Sequence, residues 1–198
     1  MAVASLNKMT VPIGTESSTQ GLLMPKLSFR FRVTFSGFGI NTTTTELTKQ
    51  VVSCGRPSVT FADIELPVYN STVKLAGKPS WADLSVVIRD DASSSVATLV
   101  AQQLQKQFDF GEQSSAKSGT NYKFEMKIEI LDGGNGTIAP IVLDTWEVYG
   151  AYLQNVSYGE MSYSSNEPVQ ITMSIKFDNA MQTSISTTVV TAIVNEST

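Results

Sequence analysis

Residues 69–91 read Tyr69-Asn-Ser-Thr-Val-Lys-Leu-Ala-Gly-Lys-Pro-Ser-Trp81-Ala-Asp83-Leu-Ser-Val-Val-Ile-Arg-Asp90-Asp91. An extended polar stretch passes a Gly77-Lys78-Pro79 turn and enters a strand near Trp81 and Asp83. Successive side chains of a strand point to opposite faces, so Leu84, Val86 and Ile88 share one face. Trp81, Asp83, Ser85, Val87 and Arg89 take the other, a mixed face suited to another layer or another chain. Asp90 and Asp91 close the strand. Such a pair can hold Mg²⁺ or serve acid/base chemistry. A strand-to-helix turn, with Asp91 near the positive end of a helix, accounts for it more simply.

Three longer alternations surround this stretch. Leu27, Phe29, Phe31, Val33 and Phe35 form the first. Tyr122, Phe124, Met126, Ile128 and Ile130 form the second, with Lys123, Glu125, Lys127 and Glu129 between them. Val169, Ile171, Met173, Ile175 and Phe177 form the third. Leu47 to Cys54 reads as a further strand closed by Gly55-Arg56-Pro57, and Val59 to Leu66 as an extended run ending at Pro67. Ile138 to Tyr149 and Ala151 to Tyr158 read as two strands broken at Gly150. One helix is expected over about 93–108, capped by Ser93 or Ser94. Val96, Leu99, Val100, Leu104 and Phe108 fall on its single apolar face.

The chain therefore reads as mainly β: a β-sandwich or barrel of about seven or eight strands with one flanking α-helix. Residues 1–24, rich in Ser, Thr, Gly and Pro, read as an N-terminal arm. Residues 25–180 form the body, and 181–198 a C-terminal tail. Within the tail, Ile185 to Val194 is β-prone and suited to adding to a sheet edge.

Composition narrows the function. The 198 residues include no histidine, which removes His-based triads and imidazole metal sites. Cys54 is the only cysteine, so no internal disulfide can form, and it reads as a buried or semi-buried small apolar residue. Gly133-Gly134-Asn135-Gly136 reads as a hairpin connection, because no Lys-Ser/Thr follows as in a phosphate loop. Lys and Arg number 14 against 18 acids, for a net charge of −4, which argues against tight nucleic-acid binding. Tyr149, Tyr152, Tyr158 and Tyr163 suggest a sugar platform, though their spacing suits interface or core positions better. Met1 to Gly21 lacks the pattern of a secretory signal, and no stretch approaches ~18 consecutive apolar residues. No cofactor, metal or catalytic residue is expected.

Two blocks resemble the tail tube proteins of contractile-tailed bacteriophages. The first is Leu75-Ala76-Gly77-Lys78-Pro79-Ser80-Trp81-Ala82-Asp83, followed by the Leu84–Ile88 strand and Asp90-Asp91. The second is Trp146 to Tyr152, then Asn155-Val156-Ser157-Tyr158-Gly159-Glu160, then Ser165-Asn166-Glu167 and the last alternation. The resemblance implies hexameric rings stacked into a hollow tube, with inner strands of six subunits joined in one barrel. It implies sheath, baseplate and tape-measure partners, and DNA crossing the lumen without specific binding. The place implied is the tail of a virion, assembled in host cytoplasm. Tube rings of tailocins and type VI secretion are similar in fold and remain alternatives. A ligand-binding or adhesin β-sandwich is the rival of a different class.

On this reading Tyr69, Asn70, Lys74, Leu75, Gly77, Lys78, Trp81 and Asp83 are the candidates for ring-to-ring contact. Glu125, Lys127 and Glu129, with Gln170, Thr172 and Ser174, are the candidates for lumen lining.

Overall fold

Alternation along the chain becomes pairing across it. The computed structural model describes residues 25–40, 44–132, 140–164 and 166–184. In chain order the elements are β1 (Phe31–Ser36), α1 (Thr45–Gln50), β2 (Val51–Cys54), β3 (Val59–Val68), β4 (Ser71–Trp81), β5 (Leu84–Arg89) and α2 (Ser95–Gln107). They continue with β6 (Phe108–Asp109), β7 (Ser114–Ser115), a 3-10 turn (Gly119–Asn121), β8 (Phe124–Leu131), β9 (Val142–Ser157), β10 (Gln170–Lys176) and β11 (Asn179–Ser184). The arm, the Gly133–Gly136 connection and Ile185–Val194 lie outside the described residues.

The main strands make two antiparallel layers that share β9. The first layer runs β1-β8-β9-β11, and the second runs β9-β10-β5-β2. Residues 144–149 of β9 pair with β11, and 152–157 pair with β10. Gly150, at φ +65°, sits at the crossing, so the expected strand break is a crossing point inside one 16-residue strand. Both layers turn their apolar faces to a single core that includes Val33, Phe35, Phe124, Met126, Val86, Ile88, Ile171 and Met173. Phe35, Phe38 and Phe124 pack there with ring centroids 4.9–6.3 Å apart.

Several local expectations change. Leu47 to Gln50 belongs to α1 rather than to a strand; Glu46, Leu47, Lys49 and Gln50 favour a helix, and buried Leu47 anchors it in the core. Leu27 and Phe29 fall outside β1. Arg30 donates its backbone N–H to the Leu27 carbonyl, closing a turn that leaves Phe29 71% exposed. Residues 181–184, assigned to the tail by periodicity, belong to β11.

The main helix spans 95–107, inside the expected 93–108, with Val96, Leu99 and Val100 buried. Phe108 ends it half-exposed. Gln103 takes a place on the apolar face that the pattern does not show. Its amide accepts from the Gly39 N–H at 2.9 Å and donates to the Tyr122 carbonyl at 2.6 Å. The cap is Asp91 rather than Ser93 or Ser94: its Oδ1 accepts from the Val96 N–H at 3.1 Å, and its Oδ2 from the Ser93 hydroxyl. The Asp90-Asp91 pair is thus the strand-to-helix turn.

Two outcomes are expected. An Ala at Gly150 would carry a strained φ and press its Cβ into the Asp178 carboxylate. Gly150→Ala should therefore cost roughly 1–3 kcal/mol, read as a lower denaturation midpoint. Hydrogen bonds, from Ser93 first and then the Val96 N–H, hold the Asp91 carboxyl below its ordinary value. Stability from a lowered carboxyl is complete above the unfolded value and fades as pH falls through the folded one. Melting curves taken from about pH 6 to about pH 3 should show wild type losing stability faster than Asp91→Asn once the pH drops below about 4.

Candidate assembly surface

β3 and β4 pair only with each other in the sheet network, as a two-stranded ribbon standing apart from the main layers. The stretch read as a polar loop is thus the second strand of a hairpin. Gly77-Lys78-Pro79 is not a turn. It forms a bulge in which residues 77 and 78 face the single residue Ala62. Gly77 fits because a Cβ there would lie 2.7 Å from the Ala62 carbonyl. The turn itself is Tyr69-Asn70, with Tyr69 left-handed at φ +49°.

The register splits the apolar residues of this ribbon between two faces, because the bulge lies on β4 and leaves β3 alternating. Val59 opposes Trp81, Phe61 opposes Pro79, Ile64 opposes Leu75 and Leu66 opposes Val73. Val59, Phe61, Ile64, Leu66, Val68, Val73 and Leu75 are each 39–54% exposed. Ile64, Leu66, Val68, Val73 and Leu75 share one face, while Val59, Phe61 and Trp81 lie on the other with Asp63, Glu65 and Lys74, the last two ion-paired at 3.2 Å. A lone two-stranded ribbon is marginal in water, and an uncovered apolar face of this extent marks a contact surface. Covering the face of Ile64, Leu66, Val68, Val73 and Leu75 would yield roughly 1 kcal/mol per half-exposed side chain, on the order of 5 kcal/mol in all.

The ring-contact candidates therefore divide. Tyr69, Asn70, Lys74, Leu75, Gly77 and Lys78 lie along the ribbon. Trp81 and Asp83 anchor its base: the Trp81 ring packs 5.5 Å from Phe177, and Asp83 lies 3.8 Å from Lys176.

The lumen candidates divide as well. Glu125, Lys127 and Glu129 lie on the polar face of the first layer, beside Arg32, Thr34, Glu147 and Tyr149. Glu129 is nearly buried between Arg32 at 2.6 Å and Lys127 at 3.3 Å. Tyr149 donates to Glu147 at 2.6 Å, and this bond, with the carboxylates near it, raises its hydroxyl above the ordinary value. Gln170, Thr172 and Ser174 lie on the polar face of the second layer, beside Ser85, Val87, Asn155 and Ser157. Because both layers face one core, these polar faces point away from each other. A single channel can take only one of them.

Strand edges complete the surface. β1 and β11 end the first layer, each six residues long with one strand neighbour. Along β9 the second layer is closed from within: Gln107 donates to the Leu153 carbonyl and accepts from the Leu153 N–H, both at 2.9 Å. Cys54 is partly buried, and burial pushes its thiol up to about 12. Among the described residues no group of His, Cys, Asp and Glu is placed to hold a metal. The four tyrosines do not converge on one platform. Tyr152 packs on Tyr122, Tyr149 lies on the first layer, and Tyr158 and Tyr163 sit on an exposed loop.

No protein-family model matches the chain, and no curated protein sequence matches it. Solved structures do. A chain of the anti-feeding prophage cap, the AFP tube terminating cap, superposes with a TM-score of 0.62 at 14% identity, covering 88% of this chain and 99% of that one. A chain of the six-fold symmetrised AFP baseplate gives 0.58 at 15% identity over 83% and 99%. A chain of the PVC sheath-tube complex, from an extracellular contractile injection system, gives 0.55 at 14% identity over 81% and 93%. The likeness is one of fold, and it is the mainly β tube-type fold expected from the two sequence blocks.

Replacing Ile64, Leu66 and Leu75 together by Ser should leave the core intact, since none of them packs in it. Circular dichroism should be unchanged while sedimentation shifts towards the monomer. Undiminished association would remove the ribbon from the contact surface.

Proposed function

We propose that this chain is a structural subunit that closes in sixes into rings, which stack into a hollow tube of a contractile injection particle. The observation that carries the reading is the pair of open edges on one layer. Within that layer the strands alternate in direction, so β1 and β11 run opposite ways. Laying β11 of one copy against β1 of the next continues the antiparallel order without interruption. Six copies of four strands, spaced ~4.8 Å apart, give a barrel roughly 37 Å across at the backbone before tilt widens it. Six-fold symmetry in the AFP baseplate structure supports the number.

On this reading the polar face of the first layer lines the channel. Glu125, Lys127 and Glu129 are lumen residues, and Gln170, Thr172 and Ser174 face outward, towards a sheath. The ribbon β3–β4 reaches the adjacent ring. Baseplate and tape-measure proteins would meet the ends of such a tube. The lining holds Glu125, Glu129 and Glu147 against Arg32 and Lys127, one net negative charge per copy. DNA, with a charge every ~1.7 Å of axis, would be weakly repelled by it and pass without sticking. This favours DNA as a cargo and a phage tail as one setting for the tube.

Negative-stain microscopy of the purified full chain should show six-fold rings or hollow rods; dispersed single particles at every concentration would overturn the proposal. Glu125→Lys with Glu147→Lys turns the lining to three net positive charges. Tubes of this variant should retain DNA in a salt-dependent way while wild-type tubes do not. Equal retention would move the channel to the other face.

A further inference from the structure

The chain ahead of β1 does not stay beside that strand. The Arg30 carbonyl accepts from the Leu131 N–H, so β1 is entered next to β8, and the Arg30 N–H closes a turn onto the Leu27 carbonyl. Lys26 then reaches across to β9, where its Nζ lies 3.3 Å from Asp144 Oδ2. Asp144 is 4% exposed, and Gln182 of β11 donates to both its oxygens at 3.0 and 2.9 Å. Phe31, Ile130, Asp144 and Ser184 stand level across the four strands of the first layer. Segment 26–30 thus crosses the end of that layer in the direction of β11, and a buried carboxylate holds the crossing in place. The chain before Pro25 leaves from there.

We infer that this crossing brings Leu22, Leu23 and Met24 of one copy into the groove between β1 and β2 of the next copy in the ring. The inference rests on the ring reading and gives the shared strand edge a second contact. The groove has a volume of about 760 Å³, and its apolar lining includes Phe29, Phe31, Val51, Val52, Ile128 and Ile130. Phe29 is 71% exposed, with the Arg30 guanidinium 5.4 Å from its ring centre. When β11 of one copy lies against β1 of the next, β9 and the neighbour's β1 are two strand spacings apart, ~10 Å. Three extended residues span about the same distance.

The sequence suits the place. Leu22-Leu23-Met24 is a run of three apolar side chains directly before Pro25, and Ser17-Ser-Thr-Gln20 ahead of it is polar. Withdrawing such a run from water against an apolar wall is favourable. The copy's own groove lies on the β1 side, behind the crossing, so the segment leads away from it and towards the neighbour's. The contact uses side chains of the groove. It leaves the outward backbone of β1 to the neighbour's β11.

Mixed assembly of two full-length proteins tests this. Both carry Cys54→Ser; one also carries Val52→Cys, and the other carries Leu22→Cys, Leu23→Cys or Met24→Cys in turn. After co-assembly and mild oxidation, at least one of the three should form a mixed disulfide dimer. Its yield should exceed that of a Ser5→Cys control on the same segment by about tenfold or more, because seating raises the effective concentration of the two thiols. Hydroxyl-radical labelling of Phe29 gives a second reading. It should be lost on ring assembly and return in the triple variant Leu22→Ser, Leu23→Ser, Met24→Ser. Rings with no link above control, or rings of the triple variant in which Phe29 stays protected, would overturn the inference and leave the ring reading standing. Phe29 already protected in the single chain would also overturn it. Absence of both rings and links would bring down the two readings together.

Discussion

An unpaired backbone N–H or C=O at a sheet edge needs a hydrogen-bond partner, and this fold answers that need unevenly. Along β9 in the second layer the answer lies inside the chain, where one side chain, Gln107, satisfies both backbone groups of Leu153. At β1 and β11 the described residues supply no strand neighbour on the outer side. Exposed edges invite pairing with another chain, and proteins that remain single cover them. With β1 and β11 of matched length and opposite direction left open beside the shorter edge strand β2, the proposed association runs along the first layer.

The rest of the molecule is arranged around that layer. Its polar face is held in place by ion pairs within the sheet, Arg32 and Lys127 on Glu129, so its charges are largely balanced locally. If this face lines the proposed channel, its balanced charge would limit the attraction of a passing polyion while keeping the wall wet. The core behind it is apolar and continuous through both layers, which makes the wall stiff. Away from the wall, the ribbon β3–β4 offers apolar area where the edge strands offer hydrogen bonds. In the proposed assembly, edge pairing would set direction and register, and ribbon burial would add affinity along a different axis.

Much of this was legible in the residues because period-two alternation is a direct record of a half-buried strand. Phe124 to Ile128 and Ile171 to Ile175 behave as their pattern predicts, and the helix 95–107 falls inside its expected span. Patterns failed where one contact outweighed periodicity. Leu47 anchors a helix of only six residues, too short for a helical period to show. Gly150 carries a continuous strand from one layer to the other, and no local signal separates a crossing glycine from a breaking one. Gln103 is buried by virtue of two backbone partners far away in sequence. The lumen set was legible as polar faces, but which layer each face belongs to depends on pairing, which alternation does not encode. The ribbon was visible as an unusual stretch, yet its apolar face emerges only once pairing sets Ile64 against Leu75 and Leu66 against Val73.

The central claim is that β1 and β11 find their missing backbone partners in each other across a subunit boundary. Hydrogen exchange of free and assembled protein measures this most directly. Amides of Phe31 to Phe35 and Asn179 to Ser184 that face outward should exchange quickly in the isolated chain and slow together on assembly, while β8 and β9 stay slow in both. Edge amides that remain fast in assembled particles, or that are already slow in the single chain, would contradict the account.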